Sequence, residues 1–223
     1  MARRRFRRKD LKRPDEFVTQ GWHLVTWAGE NSRQLSWGLA GVVTVALLVT
    51  GFVSLRSARL RQANDDLGRA LGEFRSGHYT TAATQLGEVG SRWQSTAPGR
   101  IAALYAANAA LKAQNLDAAI AGFQALAGSG DWPSYLRQEV LIGLASALHR
   151  KGDMTAAATN FQLAAALAGP YRAAAIFGEA RCREQLGETE KAGELYKRYQ
   201  LDFPTGAESE LVAARLQQLT PAT

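Results

Sequence analysis

The strongest constraint on the fold is a repeat in the C-terminal three quarters of the chain. Prolines recur at spacings of 35, 37 and 34 residues, at Pro98, Pro133, Pro170 and Pro204. A turn residue recurs in register with them, at spacings of 37, 38 and 35 residues, at Gly77, Gln114, Gly152 and Gly187. Two markers that share one period indicate a stack of similar units, in which each unit packs on its neighbours.

Each unit has the residue pattern of a helical hairpin. A glycine supplies the left-handed conformation that ends a first helix, and a proline cannot continue the second helix. Five residues after the turn comes a small residue and four further on a large one: Ala82 and Leu86, Ala119 and Phe123, Ala157 and Phe161, Ala192 and Tyr196. The alanine lets the two helices approach closely, and the large side chain fills the gap toward the next hairpin.

We therefore predict an all-α repeat domain over residues 56–223, with hairpins at 63–98, 100–133, 138–170 and 173–204. A capping helix is predicted at 205–219. Thr205 with Glu208 three residues later matches a capping box, and Leu211, Ala214, Leu216 and Leu219 predict the apolar face of this helix.

Residues 34–55 form an uncharged segment between Arg33 and Arg56. At about 1.5 Å per residue, a helix of this length spans roughly 33 Å, against about 30 Å for the hydrocarbon core of a bilayer. A cleaved signal would have a shorter apolar run and a small-residue cleavage site. A buried core helix would show a polar stripe. The segment shows none of these features, which predicts a single transmembrane helix.

The charges that flank this segment predict its orientation. Residues 1–33 hold nine Lys/Arg, whereas the twenty residues after the segment hold five. The positive-inside rule then predicts a cytoplasmic N-terminus and an exported repeat domain. The basic tail is expected to contact anionic lipid headgroups. A short amphipathic helix is predicted after Pro14, with Phe17, Val18 and Trp22 on its apolar face.

The overall charge does not indicate a nucleic-acid partner. The chain carries a formal net charge of +7. Residues 1–33 supply five of these charges, and the remaining residues are close to balance, with 18 basic and 16 acidic side chains. A basic block confined to a tail beside a membrane segment is typical of an orientation signal, and the sequence lacks a nucleic-acid-binding motif.

The sequence carries no pattern of catalytic, cofactor-binding or metal-binding residues. Cys182 is the one cysteine, so no internal disulfide can form. His23, His78 and His149 have no metal-ligand spacing, and the glycines lie in repeat turns instead of a phosphate-binding loop. We predict a protein that is not an enzyme and has no cofactor.

The period, the turn–alanine–aromatic order and the terminal proline resemble tetratricopeptide repeats, most clearly in YRAAAIFGEARCREQLGETEKAGELYKRYQLDFP. The basic head RPDEF…ENSRQL, one apolar segment and tetratricopeptide-like hairpins also resemble the ancillary subunits of the SecYEG translocon. The C-terminal domain of that family is also known as the cell-division coordinator tetratricopeptide domain. The resemblance implies an inner-membrane protein whose periplasmic repeats lie beside the translocon and contact periplasmic chaperones.

The tetratricopeptide register predicts a binding groove lined by the first helix of each hairpin. It places six polar residues there: Asn108, Lys112, Ser146, His149, Arg150 and Arg181. As a set they predict a mildly basic groove suited to acidic or extended peptide segments. Taken singly, each is also compatible with a solvated helix surface.

Three functions remain open on the sequence. The first is a non-catalytic adaptor in protein export, which docks periplasmic chaperones or emerging chains near the SecYEG translocon. The second is a structural scaffold for another envelope assembly, such as the cell-division or cell-wall machinery. The third, which requires the opposite orientation, is an adaptor that faces the cytoplasm.

Overall fold

The computed structural model of the chain describes residues 32–129 and 132–219. These residues form nine α-helices and, within those ranges, no strand. The helices are α1 (Ser32–Arg75), α2 (Tyr79–Arg92), α3 (Ala97–Lys112), α4 (Leu116–Gly128), α5 (Ser134–Lys151), α6 (Met154–Ala166), α7 (Arg172–Gln185), α8 (Thr189–Asp202) and α9 (Ser209–Leu219). The all-α prediction is confirmed for this part of the chain. The predicted amphipathic helix in the basic tail lies outside the described residues.

The chain divides into two units, Met1–Ala58 and Arg59–Thr223. In the second unit, hairpin 1 consists of the C-terminal part of α1 together with the whole of α2. Hairpins 2, 3 and 4 are the pairs α3–α4, α5–α6 and α7–α8. From α2 to α9, each helix packs on its neighbours in the chain, and the first helices of adjacent hairpins, α3 with α5 and α5 with α7, also touch. This is the contact pattern of a helical solenoid.

The four predicted turn positions all adopt left-handed backbone conformations. Gly77, Gly152 and Gly187 have φ values of 81°, 94° and 77°, and Gln114 has a φ of 62°. In every turn the next residue donates its backbone N–H to the carbonyl five residues earlier, at 2.9–3.0 Å, the bond that closes a Schellman motif. The turn prediction is therefore confirmed, including the position where glutamine replaces glycine.

The predicted alanine and large positions form the interior of the hairpins. Ala82, Ala119, Ala157 and Ala192 are fully buried, and Leu86, Phe123, Phe161 and Tyr196 are buried as well. Two of the aromatic rings lie against a glycine in the first helix of the next hairpin. A Cβ added at Gly143 would lie 2.4 Å from the Phe123 ring, and one added at Gly178 would lie 2.6 Å from the Phe161 ring. Each ring thus joins its hairpin to the next.

The sequence predicts that each proline ends the second helix of its unit. In the structure, Pro98 and Pro133 instead lie at the start of the first helix of the next hairpin. Pro98 lies in the first turn of α3, where its missing N–H leaves no hydrogen bond unmade, and Thr96 caps this helix by accepting the N–H of Gly99 at 3.2 Å. Pro133 likewise takes the N-cap position of α5. The predicted first unit, which ends at residue 98, therefore includes the first two residues of hairpin 2.

The C-terminal helix begins at Ser209, four residues later than predicted, and the proposed capping box is wrong. The Tyr199 hydroxyl donates to the Glu208 carboxylate at 2.6 Å and accepts the Glu208 N–H at 3.2 Å, so this carboxylate is not available to cap residue 205. The apolar face also differs, because Val212 is fully buried while Leu211 is exposed. Val212, Leu216 and Leu219 pack on hairpin 4.

The first unit contains the uncharged segment, which lies within α1. From residue 36 to residue 55 its aliphatic and aromatic side chains are exposed, with Leu47, Leu48 and Phe52 at 68%, 68% and 65%. By length and composition this helix could cross a membrane, and its most apolar stretch contains no buried residue. Because these side chains are exposed, the described part of the uncharged segment is not a buried core helix.

Candidate protein-binding surface

The six predicted groove residues lie on the first helices of three successive hairpins. Asn108 and Lys112 lie on α3, Ser146, His149 and Arg150 lie on α5, and Arg181 lies on α7. The side chains of Lys112, Arg150 and Arg181 are exposed, and the other three are half-buried. Each first helix turns one face toward its partner helix, and these residues lie outside the fully buried core.

Four of the six residues line one cavity of about 220 Å³. Ser146, His149 and Arg150 contribute from α5 and Arg181 contributes from α7, and Phe161 and Gly178 complete the lining. The close fit of the Phe161 ring on Gly178 forms the apolar part of the wall. The array therefore brings together the polar residues of hairpins 3 and 4.

Lys112 and Asn108 do not line this cavity. The Lys112 ammonium lies 5.4 Å from the centre of the Tyr79 ring, within range of a cation–π interaction. Tyr79 begins α2, so this lysine faces hairpin 1. The predicted groove is thus divided into a defined cavity on hairpins 3 and 4 and a separate basic position on hairpin 2.

Two buried polar residues join separate parts of the array through side-chain hydrogen bonds. Gln138 is fully buried on α5, and its amide donates to the carbonyls of Ala164 and Leu167 at 3.1 and 3.2 Å and accepts the N–H of Tyr171 at 3.0 Å. These bonds join α5 to the connection between α6 and α7. Its spacing from Leu141 and Ala145 puts it in phase with the buried face, a signal that a helical projection would have found.

Asp66 is the second such residue. It lies within α1 with 8% of its surface exposed, and it accepts the Trp93 indole N–H at 2.9 Å and a bond from Arg69 at 2.5 Å. These two hydrogen bonds hold the pKa of the Asp66 carboxyl below its ordinary value of 3.8. Asp66 therefore ties α1 to the residue that follows α2.

The side chains of the described residues that could act in catalysis or hold a metal ion are considered next, beginning with the one thiol. Burial raises the pKa of the fully buried Cys182 thiol to about 11, so at neutral pH it is not a thiolate nucleophile. Burial also raises the pKa of the Glu179 carboxyl, which lies 3.7 Å from Arg183 on the same helix. Within the described ranges, no three His, Cys, Asp or Glu side chains are grouped to hold a metal ion.

Comparisons with known proteins identify the fold. No family model matches the sequence, and neither does any curated protein. A crystal structure of nearly identical TPR-like repeats from Podosopora anserina aligns with a TM-score of 0.59 and 16% identity, over 71% of this chain and 84% of that one. A tetratricopeptide repeat protein from Parabacteroides merdae aligns with a TM-score of 0.60 and 11% identity, over 70% of this chain and 59% of that one. This chain has a tetratricopeptide-like repeat fold.

Proposed function

We propose that the chain is a non-catalytic adaptor, anchored in a bacterial inner membrane by one helix, that docks proteins on the first helices of its repeats. The observation that carries the proposal is the combination of two features in one chain. One is a helix whose apolar surface is exposed and long enough to cross a bilayer. The other is a repeat array with a basic cavity on its first helices. Folds of this kind present extended concave surfaces to their partners.

The charge distribution supports an exported repeat domain. The nine basic residues before the uncharged segment favour a cytoplasmic N-terminus, and the tail would bind anionic headgroups on that side. The repeat domain then lies in the periplasm. There a single buried cysteine needs no disulfide partner.

The partner is proposed from the resemblance of the sequence to ancillary SecYEG subunits. On that basis the repeat domain holds periplasmic chaperones or emerging chains near the translocon. A scaffold role in cell-division or cell-wall machinery is the alternative, because it would use the same anchor and the same surface with a different partner.

Site-specific crosslinking in native membranes tests this proposal. A photo-crosslinking residue placed at Ser146, at the edge of the cavity, should capture discrete protein partners that mass spectrometry can identify. The same residue at Gln162, exposed on α6, is the matched control. Translocon subunits or periplasmic chaperones specific to Ser146 are expected. Division or cell-wall proteins would select the scaffold alternative, and identical products at both positions would contradict docking on this surface.

A further inference from the structure

The two ends of the hairpins differ in what they expose. The Schellman turns lie at one end, and the connections from each second helix to the next first helix lie at the other. This second end, which we call the connection end, consists in the described ranges of residues 93–96, 129, 132–133, 167–171 and 203–208. Six large hydrophobic side chains are exposed in the described part of the repeat unit. Leu186 lies at a turn, whereas the other five lie within four residues of a connection: Tyr135, Leu163, Tyr171, Leu201 and Leu211.

The degree of exposure at the connection end is comparable to that of the uncharged segment. Leu201, beside the last connection, exposes 83% of its surface, whereas Leu55 in the uncharged segment exposes 69%. Single exposed leucines are ordinary on protein surfaces. Their confinement to one end of the hairpins is the informative feature, because it indicates that this end meets an environment that the turns do not.

Aromatic rings and arginines accompany these side chains. Every connection contains an aromatic residue: Trp93, Trp132, Tyr171 and Phe203. The Arg100 guanidinium lies over the Trp132 ring, 5.7 Å from its centre. Arg100 and Arg137 are exposed and form no ion pair within the described ranges. The nearby carboxylate of Asp202 is paired with Arg172 at 3.2 Å.

This combination of side chains is typical of the boundary between lipid and water. Tyrosine and tryptophan rings settle at the level of the headgroups, where the ring is in an apolar layer and its polar tip is in water. Arginines beside them meet the phosphates of anionic lipids. A protein partner would more often cover a continuous apolar patch, whereas here the exposed side chains are spread over three successive connections.

The chain itself supplies a lipid surface within reach. The first helices begin at the connection end, so the chain enters hairpin 1 there. Asp66, which is bonded to Trp93 of the first connection, follows Leu55 at the end of the uncharged segment by eleven residues. Even a fully extended chain of this length spans at most about 40 Å. If the uncharged segment crosses a bilayer, the connection end therefore remains close to the surface of that bilayer.

We propose that the connection end of hairpins 3 and 4 lies on the lipid headgroup layer of the membrane that the uncharged segment crosses. Tyr135, Tyr171 and Leu201 enter the interface, and Arg100 and Arg137 meet lipid phosphates. The Schellman turns, at the opposite end, remain in water. The proposal rests on the anchor in the proposed function and adds a second contact with the same membrane.

The test uses the full chain in nanodiscs of phosphatidylethanolamine and phosphatidylglycerol, with one copy in each disc. A fluorophore is attached to a single cysteine in Ala168→Cys, exposed in the connection after α6, or in Thr155→Cys, exposed in the first turn of α6. The length of this helix separates the two positions by roughly 20 Å. Cys182 gives no background because it is fully buried. Lipids that carry a nitroxide near the headgroup quench a fluorophore that contacts the headgroup layer.

The fluorophore of Ala168→Cys should lose about half of its emission or more, and that of Thr155→Cys less than about a tenth, because only the first lies in the interface. Adding Tyr171→Ser and Leu201→Ser to Ala168→Cys should restore more than about half of the lost emission, since it removes apolar surface that the interface would cover. Leu186→Ser, at an exposed turn leucine, is the matched control and should restore none. Circular dichroism should show the same helix content in all variants.

Equal quenching at the two positions, no quenching in Ala168→Cys, or quenching that the double substitution leaves unchanged would overturn the proposal. Quenching that disappears with one copy in each disc and requires two would assign this surface to a second copy instead.

A fluorophore in Phe52→Cys, within the uncharged segment, separates this proposal from the proposed function. Quenching in Phe52→Cys without quenching in Ala168→Cys would leave the anchor intact and reject the contact alone. Quenching in Ala168→Cys without quenching in Phe52→Cys would reject the anchor and leave the lipid contact. Neither result changes the partners captured by crosslinking at Ser146.

Discussion

Apolar side chains meet opposite surroundings in the two units of this chain. In the first unit, Leu48 and Phe52 expose 68% and 65% of their surfaces, whereas in the second unit Leu86 and Phe123 expose none. The residue types are similar, so hydrophobicity alone does not distinguish them. The repeat unit removes much of its own apolar surface from water, while the uncharged segment leaves its apolar surface exposed. The comparison separates a unit with its own core from a helix that is long and apolar enough to cross a bilayer.

The largest effect is expected from truncating a ring between hairpins. Phe123→Ala should lower the free energy of unfolding of the repeat unit by about 3–5 kcal/mol, because it leaves a cavity against Gly143 that the neighbouring hairpin cannot fill. Phe52→Ala is the matched change in the uncharged segment. It should alter the same quantity by less than about 0.5 kcal/mol. Denaturant unfolding of both variants in micelles measures the contrast, and equal losses would contradict it.

A second prediction concerns polar groups that the repeat unit removes from water. Gln138→Leu should cost about 2–4 kcal/mol, because it removes the side-chain partner of the Leu167 carbonyl and of the Tyr171 N–H, and one of the two bonds to the Ala164 carbonyl. Gln162→Leu, an exposed change on α6, should stay within about 0.5 kcal/mol. Thermal unfolding of the two variants provides the comparison. A Gln138→Leu protein as stable as wild type would mean that this connection is not held as described.

Acid should weaken the repeat unit through Asp66. The pKa of this carboxyl is lowered on folding, so its contribution to stability is present in full above the ordinary value of 3.8 and is lost as the pH falls below it. Asp66→Asn should cost about 1–2 kcal/mol at pH 7 and should reduce the loss of stability in acid. Asp65→Asn, at an exposed neighbouring position, should reproduce the wild-type acid profile. Unfolding curves between pH 7 and pH 2.5 test this, and parallel profiles for wild type and Asp66→Asn would exclude the mechanism.

The smallest effect is expected at a turn. Gln114 has a φ of 62°, a conformation that costs a residue with a Cβ about 1–2 kcal/mol. Gln114→Gly should therefore stabilise the repeat unit by about 1 kcal/mol. The reverse change, Gly152→Gln at the equivalent turn, should destabilise it by a similar amount. Shifts of the denaturation midpoint with the same sign for both variants would contradict equivalent turns.

Much of the repeat fold could be predicted because its signals are local. The left-handed turns and the buried alanine positions follow from residue type at a fixed spacing, which the structure reproduces at Gln114 as well as at the glycines. The start of α9 could not be predicted in this way. It depends on the Tyr199 hydroxyl, which lies nine residues before Glu208 and engages both its carboxylate and its N–H.

Only part of the candidate site could be predicted, because some of its contacts depend on packing between residues that are distant in the sequence. The register placed Ser146, His149, Arg150 and Arg181 on first helices, and these four do line one cavity. It could not show that Lys112 lies over Tyr79, since that contact depends on the packing of hairpin 1 against hairpin 2. The hydrogen bond from the Trp93 indole to Asp66 could not be predicted either, because it joins residues 27 positions apart.

The central claim is that the uncharged segment crosses the membrane and leaves the repeat unit on the outer side. Single cysteines at Gln124, exposed on α4, and at Thr19 in the basic tail test it with a membrane-impermeant thiol reagent on intact spheroplasts. Cys182 gives no background, since it is fully buried and its pKa is raised to about 11. We expect Gln124→Cys to be labelled at once and Thr19→Cys only after permeabilisation. Protection of Gln124→Cys until the membrane is broken would contradict the account and place the repeat unit in the cytoplasm.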